Sequence, residues 1–227
     1  MEQSNSTELR IVNMGVISNG TTLLDAGAID SGIPTGAMTL IKTLTASSSG
    51  TLSFVHGTSS VVLDGTYDSY VFKFFDIHPS TNISQFSFNM SVDTGSNYNV
   101  AKTTTSFRAY HSEDGVENAL GYFTGMDLAQ GTGFQPITYY SGIQNDASNV
   151  GTLQIFSPSS TTFVKHFTCI TNEMSREDAA ASNPPLTHNY FIAGYGNTTS
   201  AVDAIQFSFQ GGNIASGKIK LYGIKDS

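Results

Sequence analysis

Residues 38–227 alternate large apolar side chains with polar ones, and this two-residue period is the feature that most constrains the fold. Successive side chains of a β-strand point to opposite faces, so such runs predict strands with one face on a core and the other in solvent. The alternating residues predicted to share such faces are Leu52 and Phe54; Tyr70, Phe72 and Phe74; Phe86, Phe88 and Met90; Phe107 and Ala109; Leu153 and Ile155; Phe163, Lys165, Phe167 and Cys169; Ile205, Phe207 and Phe209; and Ile219 and Leu221.

Turn-forming pairs of residues separate these runs from one another. Gly, Pro and Asp supply the backbone angles and local hydrogen bonds that tight turns need. The turn signals are Asp64-Gly65, His78-Pro79, Asp114-Gly115, Ser157-Pro158 and Gly211-Gly212-Asn213. Eight or more strands with aromatic inner faces predict an all-β fold, an antiparallel β-sandwich that resembles a jelly roll.

The beginning of the chain differs from the rest because it holds no aromatic residue before Phe54. A segment without large aromatics builds little core of its own. We therefore expect residues 1–37 to form an N-terminal arm or anchor and residues 38–227 to form the β-sandwich domain. The alternative is an extension that is unstructured or packs on itself. The best helix signal is one or two turns over residues 176–181, before Asn183-Pro184-Pro185.

The charge pattern argues against two classes of partner. Charged residues make up only 12% of the chain, the net charge is −8, and the ten Lys and Arg residues are scattered. Without a basic stripe, neither nucleic acid nor an anionic membrane is expected as a partner. No apolar run approaches the roughly 18 residues of a membrane span, and no signal peptide is expected, so membrane insertion is not predicted. The single cysteine, Cys169, is predicted to be a buried apolar residue.

The sequence offers no readable catalytic or metal site. None of the five histidines pairs at a metal-ligand spacing such as H-x-H or H-E-x-x-H. The nearest carboxylate pairs lie in turn-rich or helix-start contexts, where Asp and Glu favour local hydrogen bonds. They are Asp64 and Asp68, Glu113 and Asp114, and Glu177 and Asp178. We expect no enzyme activity and no cofactor or metal, although a histidine cluster or a Ca²⁺ site built from separate loops stays open.

The segment from Gly131 to Val150 is the strongest candidate for a binding surface. It holds Phe134, Tyr139 and Tyr140 among Gly, Ser, Asn and Gln residues. Tyrosine among small polar residues is typical of adaptable binding loops, because its rigid ring buries much area at low entropy cost. Such rings also suit stacking on sugars. The alternative is that Tyr139 and Tyr140 belong to one more strand, with one ring in the core.

Five stretches of residues 38–227 carry a resemblance to a known family. They are Leu40 to Ser49; Tyr70 to Phe74 followed by Ile77-His78-Pro79; Phe107 to His111; Ser157 to His166; and Ile219 to Ser227. These stretches resemble virion structural proteins of tailed phages that infect marine bacteria, including cyanophages. The opening, Glu8 to Asn13, is similar to the start of some phage fibre proteins.

The resemblance implies a structural role in a virion, made in the host cytoplasm, with other virion proteins as partners. We expect a tail fibre or tail appendage that exposes the sandwich for contact with the host surface. A host-surface glycan is one partner that this role implies. Because fibres are usually trimers, a homotrimer is expected. A capsid decoration protein is one alternative. A stand-alone carbohydrate-binding module or a hydrolase is another, although a hydrolase needs a convergent set of catalytic groups that the sequence does not show.

Overall fold

The structure, a computed structural model, describes residues 16–18, 21–25, 28–29, 38–175 and 184–225. These residues form fifteen β-strands, and no α-helix occurs among them. The strands are β1 (Val16–Ser18), β2 (Thr21–Asp25), β3 (Ala28–Ile29), β4 (Met38–Thr45), β5 (Leu52–Val55), β6 (Ser69–Pro79), β7 (Phe86–Ser91), β8 (Lys102–Ser112), β9 (Asn118–Tyr122), β10 (Gln135–Pro136), β11 (Asn149–Phe156), β12 (Lys165–Ser175), β13 (Leu186–Gly196), β14 (Ala204–Phe209) and β15 (Ile214–Ile224).

The chain divides into two compact units, with the boundary between Ala37 and Met38. In the first unit, β1, β2 and β3 pair in chain order as a small antiparallel sheet. That residues 1–37 act as an anchor stays a prediction. The helix predicted over residues 176–181 lies outside the described residues. Nowhere in the described ranges is there a helix long and apolar enough to cross a membrane.

The second unit is an antiparallel sandwich, as predicted. One sheet has four strands in the order β10-β7-β14-β5, and the other has eight in the order β4-β15-β6-β11-β12-β13-β8-β9. Taken alone, β4, β15, β6 and β11 facing β5, β14, β7 and β10 give the strand order of an eight-stranded jelly roll. The predicted jelly-roll resemblance is therefore confirmed.

Two pairs of additional strands widen one sheet of this jelly roll. The hairpin β8-β9 is inserted between β7 and β10, and β12 and β13 are inserted between β11 and β14. All four lie side by side beyond β11. In strand order, they have no counterparts in the four-stranded sheet. We call β12, β13, β8 and β9 the extension; its exposed surface is the outer face and its core-facing surface is the inner face.

Aromatic rings from both sheets meet in the core of the sandwich. Phe207 of β14 lies at the centre, with its ring centroid 5.3 Å from that of Phe72 and 5.4 Å from that of Phe74 in the opposite sheet. Phe88 meets Phe167 across the same gap at 5.1 Å. Such edge-on and tilted pairs add about 0.5–1.5 kcal/mol each beyond the burial of their area.

Most of the predicted inner faces are confirmed, but the face predicted for Phe107 and Ala109 and the position of Phe163 are wrong. The apolar positions of β5, β6, β7, β11, β14 and β15 are buried, as is Cys169. Phe107, however, is 44% exposed because β8 turns Ser106 and Arg108 inward instead. Phe163 is 69% exposed because it precedes β12 in a turn rather than continuing the strand.

Candidate functional site

The predicted binding residues lie in a segment that covers the inner face of the extension. Its short strand β10 is Gln135–Pro136, and the tyrosines follow it rather than belonging to it. The buried Gln135 amide donates to the carbonyl oxygen of Met126 at 2.6 Å, and its side-chain oxygen accepts from the Thr104 hydroxyl at 2.8 Å. Ile137 is fully buried. The buried residues Gln135 and Ile137 therefore fix the segment to the sandwich.

The structure brings two of the three predicted residues together. The ring centroids of Tyr139 and Tyr140 lie 4.7 Å apart, and that of Tyr139 is 4.8 Å from that of Phe123. Both tyrosines are half-buried. Phe134 is half-buried on the other side of β10, and within the described residues it has no ring contact with the tyrosines. That these residues bind a ligand stays a prediction.

Arg108 joins this aromatic group from β8. Its guanidinium carbon lies 4.2 Å from the ring centroid of Phe123, 4.9 Å from that of Tyr110 and 5.5 Å from that of Tyr140. Guanidinium groups bind aromatic faces through the ring quadrupole. One terminal nitrogen, Nη1, is buried and has no hydrogen-bond partner among the described residues. We call Arg108, Tyr110, Phe123, Tyr139 and Tyr140 the arginine cage.

Strand register places a buried carboxylate beside the cage. Glu173 of β12 pairs with His188 of β13, which pairs in turn with Tyr110 of β8. Glu173 is fully buried, and its Oε1 accepts from the Tyr190 hydroxyl at 2.7 Å. Burial raises the pKa of this carboxyl, and the hydrogen bonds that it accepts act in the opposite direction.

Both oxygens of Glu173 are held by the chain itself. The Tyr140 backbone N–H donates to Oε1 at 2.9 Å, and the Ser141 hydroxyl donates to Oε2 at 3.0 Å. A general acid or nucleophile must reach the atoms on which it acts. Glu173 instead binds the segment at Tyr140 and Ser141 to β12. This structural role explains why a carboxylate lies in the core.

His188 completes this polar end of the core. Its ring stacks on that of Tyr190 with a centroid distance of 5.7 Å, and its Nδ1 lies 3.0 Å from the Ser175 hydroxyl. Burial, together with the charge of Arg108, lowers its pKa to about 4. The imidazole is therefore neutral near pH 7, and its buried Nε2 has no hydrogen-bond partner among the described residues.

The sequence patterns place Lys165 on the inner face with Phe167 and Cys169, but they miss the second buried lysine, Lys102. Lys102 donates to the Asn89 side-chain oxygen at 2.5 Å, and burial lowers its pKa to about 7. Lys165 donates to the carbonyl oxygens of Ser160 at 2.6 Å and Phe163 at 2.7 Å, and burial lowers its pKa too. Both ammonium groups thus donate hydrogen bonds to acceptors of this chain, namely backbone carbonyl oxygens and the side-chain oxygen of Asn89. Burial also raises the pKa of the Cys169 thiol, which disfavours the nucleophilic thiolate.

A second surface lies on the outer face of the extension. Cross-strand neighbours there are apolar: Ile170 pairs with Phe191, Phe191 with Phe107, and Phe107 with Tyr122. Ile170 is 49% exposed and Tyr122 is 58% exposed, and next to them Leu120 is 74% exposed. The rings of Phe107 and Phe191 stack with centroids 5.1 Å apart. We call these five residues the apolar stripe.

Comparison with protein-family models, with curated proteins and with solved structures finds no match. No group of three or more His, Cys, Asp and Glu side chains that would suit a metal ion occurs among the described residues. The candidate surfaces are thus the arginine cage, backed by Glu173 and His188, and the apolar stripe.

Proposed function

We propose that this chain is a structural protein of a bacteriophage virion, a tail fibre or tail appendage that exposes its β-sandwich for contact with the host surface. The observation that carries the proposal is the apolar stripe, where Leu120 and Tyr122 are more than half exposed. Soluble proteins that work alone rarely expose large contiguous apolar patches, so the stripe favours a protein that works in an assembly. The resemblance to marine phage virion proteins favours a virion as that assembly.

A structural rather than enzymatic role is supported by how the polar core groups are used. Glu173 and Lys165 hold segments of this chain in place through hydrogen bonds. Groups arranged in this way stabilise one conformation, whereas catalytic groups converge on a space that a substrate enters. The jelly roll itself hosts many functions and adds no argument of its own.

Two other functions have specific support. A capsid decoration protein is favoured by the same apolar stripe, because a wide sheet face suits docking on a shell. A stand-alone carbohydrate-binding module is favoured by the arginine cage, since half-exposed Tyr110 and Tyr140 flank a guanidinium. Rigid aromatic side chains beside a hydrogen-bond donor are common in sites that bind polar ligands.

The experiment that tests the proposal locates the protein on the particle. An antibody raised against residues 38–227 is bound to purified particles of the phage that encodes the chain, and gold label is counted by electron microscopy. We expect label on the tail or its appendages, and peptides of the chain in the mass spectrum of the same particles. Label distributed over the capsid would support decoration instead. Particles without the protein would overturn the virion role, and glycan binding by the recombinant chain would then support the carbohydrate-binding module.

A further inference from the structure

One row of side chains crosses seven of the eight strands of the larger sheet, on the side that continues the outer face of the extension. Directly opposed residues on seven neighbouring strands form it, and their register is continuous. In strand order the row is Lys220, Lys73, Thr152, Ile170, Phe191, Phe107 and Tyr122. Ile170 stands at the centre, with a basic end on the jelly-roll strands and an aromatic end on the extension.

The basic end places like charges side by side. Lys73 and Lys220 are directly opposed, which is unfavourable for two ammonium groups on neighbouring strands. Each lies near an aromatic ring instead: Lys73 is 5.6 Å from the ring centroid of Tyr222, and Lys220 is 5.0 Å from that of Phe75. On a chain of net charge −8, this local positive field suits an acidic and aromatic partner.

The aromatic end has the complementary character. Phe107 stacks on Phe191, and the hydroxyl of Tyr122 donates to Asp127 Oδ2 at 2.6 Å. Strand β9 is exposed along its whole length and pairs only with β8 among the described strands.

We propose that a second copy of this chain occupies the outer face, with the basic end of one copy against the aromatic end of the other. The inference rests on the proposed function, because it names the surface through which such a protein assembles. A two-fold axis parallel to the strands at Ile170 brings Lys220 of one copy over Tyr122 and Asp127 of the second. A three-fold ring makes the same pairing between successive copies, with each neighbour covering about half of the face, and in both arrangements every basic end meets an aromatic end.

The face is large enough for a stable contact. Seven strands spaced about 4.8 Å apart span about 29 Å, and the eleven residues of β12 or β13 extend about 37 Å. The projected area of about 1,000 Å² compares with about 800 Å² that each partner buries in a typical specific interface. Two sheets stacked in this way pack about 10 Å apart, as in β-sandwiches.

The test measures the mass of the full-length chain by light scattering over a dilution series, for the wild type and three variants. Phe107→Glu charges the aromatic end, and Lys73→Glu with Lys220→Glu reverses the basic end. Phe163→Glu is the matched control, because it places the same charge on an exposed phenylalanine outside the row. We expect a wild-type dimer or trimer, a dissociation constant raised about tenfold or more in the first two variants, and no change in the control.

Charge exchange gives an independent test of the pairing. Adding Asp127→Lys to the double lysine variant restores opposite charges at the two ends, and we expect association to return.

A monomeric wild type, or variants that associate like it while keeping the wild-type circular dichroism spectrum, would overturn the inference. If particles carry the protein in that case, the proposed function stands without this interface. If the wild type associates through this face and particles lack the protein, the proposed function fails and the interface stands.

Discussion

His188 is a buried base that the fold holds in its neutral form. Its pKa falls from the ordinary 6.5 to about 4, so the unfolded chain takes up a proton before the folded chain does as the pH falls. The stability that this difference supplies is present above about pH 6.5 and is lost as the pH falls through about 4. A shift of that size corresponds to about 3 kcal/mol in the free energy of unfolding.

We therefore expect the wild type to lose about 3 kcal/mol more than a His188→Gln variant when the pH is lowered from about 7 to about 4. Urea unfolding followed by circular dichroism measures both proteins at both pH values. His166→Gln is the matched control, because it removes an exposed imidazole from the outer face and should follow the wild type. Parallel pH profiles for the wild type and His188→Gln would contradict the buried neutral imidazole.

At the scale of an element, β6 and β15 meet through a bulge that depends on one glycine. Between the pairs Phe75–Lys218 and His78–Ser216, two residues of β6 oppose the single residue Gly217 of β15, so the register shifts there. Gly217 has a φ of +111°, and a Cβ atom at that position would lie 2.6 Å from the Asp76 carbonyl oxygen. Backbone atoms at that distance cannot yield as a flexible side chain does.

Gly217→Ala should therefore lower the free energy of unfolding by about 1–3 kcal/mol, the usual cost of a strained backbone position. Gly121→Ala is the control on β9, where an added Cβ meets nothing within 4 Å. It should leave stability nearly unchanged. Thermal and urea unfolding of both variants measure the difference. Equal stabilities would show that the bulge relaxes to accept a side chain.

The strands built of apolar residues at every second position are those that the sequence predicts best. In β6, β14 and β15 the alternation alone identifies the inner face, because the opposite sheet provides an apolar surface for it. Strand β8 is different: its inner face carries Lys102, Ser106 and Arg108, while Phe107 faces out. Periodicity reports two faces, but which face is covered depends on the segment that packs over it.

The candidate site shows the same limit. The aromatic residues of the covering segment are visible in the sequence, and Tyr139 and Tyr140 indeed meet. Their partners Arg108 and His188 come from strands far away along the chain, and only the pairing of β8 with β13 brings these two together. A lone arginine or histidine in a strand gives no local signal of burial. Long-range register is therefore the information that the sequence patterns lacked.

At the scale of the whole molecule, the jelly roll and the extension have different structural roles. The jelly-roll strands supply the aromatic core between two sheets, around Phe207. The extension has a polar inner end at Glu173 and His188, and its outer face carries the apolar stripe among exposed polar residues such as Thr168 and Asn172. In the proposed assembly, the apolar stripe is the part of the extension that meets other subunits.

The core cluster runs from Ala46 to Leu221, so every core residue identified belongs to the second unit. We therefore expect residues 38–227, expressed alone, to fold with the circular dichroism spectrum of the full chain and with a free energy of unfolding within about 1 kcal/mol of it. Loss of cooperative unfolding would mean that residues 1–37 are needed to complete the domain. Light scattering on the same fragment separates two routes of assembly: if the outer face drives association, the fragment keeps the mass ratio of the full-length oligomer, whereas a monomeric fragment would assign assembly to residues 1–37.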